Sequence, residues 1–200
     1  MKDKTIILAS SSPRRIEMLR RNGINPVIIL PNIDESSHEQ TQPNHLVMEL
    51  AFKKAESVVP EAKQRFPNKN CLIIGADTIV YLETVIGKPK DKEDAFNILS
   101  KLRGKEHFVA TGVAIIEIPS NLKKVFYEIT KVRFKNYTDD DIHTYIDSKE
   151  PYDKAGGYAI QGIWGNNVEY ISGDFNNVVG FPWNRIRKEL YDKKNGWSCL

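Results

Sequence analysis

The sequence has little cysteine, and its two cysteines stand alone. Cys71 and Cys199 are the only ones in 200 residues, and neither has a Cys or His neighbour at the spacing of a metal site. Two cysteines are also too few for a disulfide framework. Cys71 begins an apolar run, so we expect it to be a small core residue, and Cys199 falls in a C-terminal tail.

Long apolar runs are also absent. The run after the first residues extends only from Ile6 to Ala9, which is shorter than the core of a signal peptide. No run approaches the roughly 18 apolar residues that a membrane-spanning helix needs. We therefore expect a cytoplasmic protein that has no membrane partner.

A large excess of charge of either sign is missing as well. The chain has 29 Lys and Arg against 26 Asp and Glu, a net charge of +3. This balance argues against a nucleic-acid binder recognised by bulk charge, so nucleic acid is not an expected partner. With 40% hydrophobic and 28% charged residues, the composition is that of an ordinary globular protein.

What the sequence contains is an alternation of strand-like and helix-like periodicity, which predicts an α/β or α+β fold. No internal repeat or linker interrupts it, and we expect one compact unit over residues 1–200. The patterns predict strands at 5–10, 26–30 and 71–80 with a hairpin arm at 81–87, a long hairpin at 107–135, and helices at 13–21, 45–58, 92–103 and from 138 and 182. Polar loops are expected at 32–44 and 150–165.

The joint between the first strand and the first helix, ILASSSPRRIEML, is rich in hydroxyls and positive charge. Ser12 suits the N-cap position, and Pro13 suits the first helical position, where its missing N–H is no loss. An ordinary capped helix start explains both residues. Arg14 and Arg15, however, oppose the helix dipole in the first turn, which favours an anion bound at this end of the helix.

Other polar residues could carry chemistry at the ends of predicted strands. Asp77 and Thr78 end an apolar run, and a carboxylate there is costly without a partner, a metal or a catalytic role. Lys88 follows in GKP, and the Asp34-Glu35 pair could supply oxygen ligands to Mg²⁺. The four histidines lack the context of a metal site or catalytic triad, and we assign them no role.

The segment EPYDKAGGYAIQG places charges and glycines in one loop. Gly156 and Gly157 could allow the backbone to approach a ligand closely. The amide of Gln161 both donates and accepts, which suits the edge of a nucleobase, although a loop amide can also bond to its own backbone. The acidic triplet 139–141 is interpreted as complementing a helix dipole rather than binding a metal.

The order and spacing of several motifs resemble the Maf family of nucleoside triphosphate pyrophosphatases, also called septum formation inhibitors. The motifs are LASSSPRR, DE at 34–35, LAFKKA, IIGADTIV, GKP, EPYDKAGGYAIQG and VVGFP. The resemblance runs from about Ile6 to Leu190. It implies a long curved mixed sheet flanked by helices, with two lobes and a central cleft, similar to inosine triphosphate pyrophosphatases. It also implies a homodimer.

The resemblance assigns a role to each matching residue. Asp77 is implied as the catalytic base, and Glu35 with Asp77 as ligands of a divalent cation, Mg²⁺ or Mn²⁺. The residues implied to bind the nucleoside triphosphate are Ser10, Ser12, Arg14, Arg15, Lys54, Lys88, Thr78 and Gln161.

Three of these positions distinguish subgroups of the family. Arg14, Thr78 and Gln161 are as in the subgroup that hydrolyses dTTP and UTP to the monophosphate and pyrophosphate. The subgroup that acts on 7-methyl-GTP has bulky or acidic residues there and is one alternative. A second alternative is a regulator of cell division that acts through a binding partner or DNA. The resemblance assigns no role to Lys53 or Trp164. We interpret Lys53 as solvated surface, and Trp164 as a core residue rather than part of a base pocket.

Overall fold

The computed structural model describes residues 4–35 and 42–192, so the prediction for Cys199 lies outside the described residues. The strands are β1 Thr5–Ala9, β2 Val27–Ile28, β3 Cys71–Tyr81, β4 Val85–Ile86, β5 Glu106–Ile118, β6 Lys123–Phe134 and β7 Val168–Ser172. The helices are α1 Pro13–Arg21, α2 Pro43–Ser57, α3 Val59–Arg65, α4 Lys92–Leu102, α5 Asp139–Asp147, α6 Phe175–Val179 and α7 Trp183–Tyr191. Short 3₁₀ segments connect α5 to β7.

The strands form one mixed sheet in the order β2-β1-β3-β5-β6-β7, with β4 paired to β3. Strand β1 is parallel to β2 and to β3, whereas β4 runs antiparallel to β3 and β7 antiparallel to β6. The expected mixed sheet flanked by helices is thus confirmed. The implied central cleft stays a prediction.

The chain divides into two compact units. The first comprises the described residues of Met1–Asp77, Thr111–Glu128 and Gly180–Leu200, and the second comprises Thr78–Ala110 and Ile129–Val179. That they act as a single domain stays a prediction.

In the first unit, strand β1 is buried on both faces. Ile6 and Leu8 belong to a cluster with side chains of α1 and α7, and Ile7 and Ala9 to another with side chains of α2 and α3. This two-sided burial is typical of a parallel strand covered by helices and explains the continuous apolar run. Cys71 is fully buried, as expected.

A close approach between β3 and α2 depends on Gly75. A Cβ atom at Gly75 would lie 2.4 Å from the carbonyl oxygen of Ala51 and 2.8 Å from the amide nitrogen of Ala55, both in α2. Because only glycine avoids this clash, α2 packs directly on the strand two residues before Asp77. This packing positions Lys54 of the helix beside Asp77 in β3.

Three elements were not predicted from the sequence, namely α3, α6 and β7. Helix α3 begins immediately after α2, with Pro60 in its first turn. Pro43 likewise begins α2 two residues before the predicted start. The strand β7 is five residues long, like β1, but none of its residues is fully buried, so no apolar run marks it.

Candidate active site

The turn between β1 and α1 has the local structure that its serines and proline predict. Ser12 is the N-cap with extended backbone, and Pro13 is in the first helical turn. The Ser12 side chain makes no capping hydrogen bond, and instead its amide donates to the buried Ser10 Oγ at 3.2 Å. The hydroxyl of Ser10 therefore organises the turn by accepting from the backbone of Ser12.

The guanidinium of Arg15 is directed back into the first unit. Its Nε donates to the carbonyl of Gly180 at 2.9 Å, and its Nη1 donates to the carbonyl of Ala76 at 2.7 Å and to Ser10 Oγ at 3.3 Å. Burial lowers the pKa of Arg15, and the nearby charge of Asp77 opposes this shift. The arginine thus joins three segments of the unit.

Lys54 contacts two of the three carboxylates that the sequence singled out in the first unit. Its Nζ lies 2.5 Å from Asp77 Oδ1 and 2.8 Å from Glu35 Oε1. Asp77 is buried, with 7% of its surface exposed, whereas about half of the Glu35 side chain is exposed. A buried carboxylate needs such a partner, because an unpaired charge in the interior is costly.

These carboxylates are the candidate ligands for a divalent cation. Among residues 4–35 and 42–192, no cluster of three or more His, Cys, Asp and Glu side chains has the arrangement of a metal site. Mg²⁺ is commonly held by one or two carboxylates together with substrate phosphates. Glu35 and Asp77, which already share one ammonium group, fit a cation that arrives with a triphosphate.

Arg14 is partly buried in the first turn of α1, and the other remaining substrate-binding candidates belong to the second unit. Thr78 is partly buried in β3, and Lys88 and Gln161 are exposed. The carbonyl of Gly87 accepts a hydrogen bond from the amide of Gly156 at 3.0 Å. This bond joins the GKP segment to the loop that carries Gln161.

Aromatic side chains hold the loop before Gln161. Tyr158 Oη lies 2.8 Å from Nε2 of the buried His107, and the amide of Ala159 donates to Tyr145 Oη at 3.0 Å. Trp164 stacks on Tyr145 with ring centroids 4.6 Å apart and is buried, which confirms its interpretation as a core residue. Burial lowers the pKa of His107 to about 4 and raises that of Tyr158.

Gly156 has a local role that the sequence did not indicate. Its φ is +70°, and a Cβ atom there would lie 2.8 Å from the side chain of Val80. The close approach that glycine permits here is to a buried strand residue of the same unit.

Two other interpretations of charged residues hold in the structure. In the acidic triplet, Asp141 forms a capping box with Thr138 at the start of α5, so this carboxylate caps the first turn of the helix. Lys53 pairs with Glu49 one turn earlier on α2, and both side chains are partly exposed. Sequence reasoning missed His107 and Tyr145, since their partners are distant in the sequence and no motif marks them.

Comparison with known proteins gives matches to one family over nearly the whole chain. Residues 5–193 match the family model described as Maf-like protein. The protein named dTTP/UTP pyrophosphatase in Caldicellulosiruptor bescii is 49% identical over 98% of each chain. Its namesake in Acetivibrio thermocellus is 45% identical over 94% of each chain.

A further namesake in Clostridioides difficile is 43% identical over 90% of this chain and 91% of its own. Among solved structures, the Ham1 protein of Staphylococcus aureus is 17% identical, with a TM-score of 0.40 over 65% of this chain and 71% of that chain. In the described part of the sequence, no helix is both long and apolar enough to cross a membrane.

Proposed function

Because the chain belongs to the Maf-like protein family, we propose that it hydrolyses dTTP and UTP to the monophosphate and pyrophosphate. The single observation that carries the proposal is the buried Asp77 within β3, paired with Lys54. Relatives named dTTP/UTP pyrophosphatase, 45% and 49% identical over nearly the whole chain, support the choice of substrate.

Asp77 acts as the general base. Lys54 contacts its Oδ1, and Oδ2 accepts a proton from the attacking water. The water oxygen forms a bond to the α-phosphorus, the bond from that phosphorus to the bridging oxygen breaks, and pyrophosphate leaves with the electron pair. General-base assistance of this kind contributes a factor of about 10² to 10⁴ in rate.

Positive charge stabilises the transition state, in which negative charge builds on the phosphate oxygens. Lys54, Lys88 and Arg14 supply this charge from the chain. A bound Mg²⁺ or Mn²⁺, held by Glu35 and Asp77, would add to it by polarising the phosphate oxygens. Ser10 and Ser12 lie in the turn before α1 and bind the phosphates there, where the helix dipole also favours an anion.

The choice of nucleobase is assigned to the residues that distinguish the subgroups. Gln161 carries an amide that can donate to and accept from the edge of uracil or thymine. Thr78 and Arg14 occupy the other two positions that the resemblance ties to substrate choice. Under this proposal, guanine nucleotides are poor substrates.

The test is a panel of nucleoside triphosphates, including dTTP, UTP and 7-methyl-GTP, assayed for pyrophosphate release with Mg²⁺ and with Mn²⁺. Cleavage of dTTP and UTP is expected. Cleavage of 7-methyl-GTP alone would assign the chain to the other subgroup, and no cleavage of any triphosphate would contradict enzymatic activity. A strict requirement for either metal would support the cation, and undiminished turnover in a chelator would contradict it.

Two expectations are kept as proposals that rest on the resemblance, a homodimer and a cytoplasmic location. Light scattering at several protein concentrations distinguishes a dimer of about 46 kDa from the 22.9 kDa chain. The substitution Asp77→Asn distinguishes catalysis from the alternative role in cell division. A function exerted through binding alone should survive that substitution, whereas hydrolysis should not.

A further inference from the structure

The side chain of Arg15 donates to the backbone carbonyl of the residue before the candidate base and to that of Gly180, and these contacts suggest a role other than phosphate binding. We infer that Arg15 is a positioning residue that fixes the Ala76–Asp77 peptide and thereby orients the Asp77 carboxylate. The inference rests on the proposed function, because it concerns the base of that reaction.

The contact with Ala76 acts directly on the residue that follows. The carbonyl that accepts from Arg15 Nη1 at 2.7 Å belongs to the same planar peptide group as the amide of Asp77. Rotation of that peptide would break the hydrogen bond. The direction in which the Asp77 side chain leaves the strand is therefore coupled to the guanidinium.

The other contacts of Arg15 determine the orientation of the guanidinium itself. Nε donates to Gly180 O at 2.9 Å, and Nη1 also reaches Ser10 Oγ at 3.3 Å. Gly180 lies three residues before α7, and Ser10 follows β1 directly. A planar guanidinium that donates to three segments has one orientation that satisfies all of them.

These donors contact acceptors of the protein itself. Binding a triphosphate through the same N–H groups would require breaking the bonds to Ala76 and Gly180 and leaving two carbonyls without these donors. Arg14, one residue earlier in the same helical turn, is the arginine that we assign to the phosphate. The two neighbouring arginines thus form a matched pair for comparison.

The experiment compares Arg15→Lys with Arg14→Lys. Lysine keeps the positive charge but cannot span several acceptors as a planar group can. We measure kcat and KM for dTTP, and the inhibition constant Ki of α,β-imido-dUTP, which occupies the site without being cleaved. Thermal unfolding of each variant reports whether it folds.

For Arg15→Lys, kcat is expected to fall by about tenfold or more while Ki changes by less than about threefold, the signature of an interaction needed only in the transition state. Arg14→Lys is expected to raise Ki by about tenfold. An unchanged kcat in Arg15→Lys, or a Ki raised by about tenfold or more, would overturn the inference.

A measurement on the unaltered protein applies even if Arg15→Lys does not fold. The Nε–H of Arg15 donates to Gly180, so its hydrogen exchange, followed by NMR, should be slow without nucleotide and nearly unchanged by α,β-imido-dUTP. Fast exchange that slows only with the analogue would show that this group binds the ligand and would contradict the positioning role.

The two proposals can fail separately. If the unaltered protein cleaves no triphosphate, the proposed function is wrong before any arginine is changed. The exchange of the Arg15 Nε–H in the nucleotide-free protein still tests whether Arg15 is bound to the Gly180 carbonyl. If triphosphates are cleaved and that exchange is fast, only the positioning role is wrong.

Discussion

The two units of the chain hold their candidate site residues by different forces. In the first unit, Asp77 and Lys54 are held by an ion pair at 2.5 Å, and the backbone before Asp77 is held by Arg15. In the second unit, the loop leading to Gln161 is held by neutral aromatic groups, including the contact between Ala159 and Tyr145.

This difference matches the roles that we propose for Asp77 and Lys54 in the first unit and for Gln161 in the second. Hydrolysis needs charged groups in fixed positions. A buried charged side chain keeps its position when it is paired with an opposite charge, because an unpaired buried charge is costly. Recognition of a base needs a loop of defined shape, and packed rings fix a shape without adding charge. Substitutions in the first unit should therefore affect turnover most, and substitutions in the loop supports should affect stability and selectivity.

The largest effect is expected for Asp77→Asn, which removes the base and keeps the shape of the side chain. Turnover of dTTP should fall by a factor of about 10² to 10⁴, measured as pyrophosphate release. The matched control is Asp140→Asn, which alters an exposed carboxylate in the first turn of α5. A variant of Asp77 that keeps more than about a tenth of the activity would contradict the assignment of the base.

A somewhat smaller loss of turnover is expected for Lys54→Met. The ammonium group of Lys54 stabilises charge in the transition state and also pairs with Asp77. We expect kcat to fall by a factor of about 10² to 10³. Mn²⁺ binding without nucleotide, followed by electron paramagnetic resonance, should become tighter, because the ammonium no longer competes for the two carboxylates.

Lys53→Met is the control on the same helix. Its partly exposed pair with Glu49 should contribute less than about 1 kcal/mol to the free energy of unfolding. Both kcat and the affinity for Mn²⁺ should therefore remain near those of the unaltered protein. Weaker Mn²⁺ binding in Lys54→Met would show that the lysine and the cation do not compete.

In the second unit, the buried His107 predicts a dependence of stability on pH. Its folded pKa of about 4 lies below the ordinary 6.5, so the unfolded state binds more protons between these values. The neutral ring therefore makes its full contribution to the free energy of unfolding above about pH 6.5. This contribution, about 3 kcal/mol in total, is lost as the pH falls through the folded pKa of about 4.

The measurement is urea unfolding of the unaltered protein and of His107→Gln between pH 4 and 7. The variant should lose less stability on acidification, whereas His143→Gln, which changes an exposed histidine, should behave like the unaltered protein. Equal losses in His107→Gln and the unaltered protein would exclude His107 as the source.

The smallest effect is expected for Tyr145→Phe, which removes the hydroxyl that accepts from the amide of Ala159. Leaving this buried donor without its acceptor should lower the free energy of unfolding by about 1 to 2 kcal/mol. The preference for dTTP over other triphosphates should weaken, because the loop before Gln161 loses an anchor. Tyr127→Phe, at an exposed position, is the control and should change neither quantity.

The order of elements and the identity of the core were largely predictable from the sequence. The apolar run of β1 and the capping of α4 by Asp91 and of α5 by Thr138 follow from local patterns. The short β7 did not, because its pairing with β6 depends on residues more than thirty positions away.

The site was predictable as a set of residues and not as a set of contacts. The contact between Lys54 and Asp77 depends on the packing of α2 against Gly75, and no local pattern of either motif expresses it. The acceptors of Arg15 are backbone carbonyls, which every residue possesses, so the sequence could not distinguish a residue that holds the backbone from one that holds a phosphate.

The central claim is that a water molecule attacks the α-phosphorus of a pyrimidine triphosphate. Hydrolysis of dTTP in ¹⁸O-labelled water, with both products analysed by mass spectrometry, tests it directly. The account predicts the label in dTMP and none in pyrophosphate. Label in pyrophosphate, or release of dTDP and labelled phosphate, would contradict it.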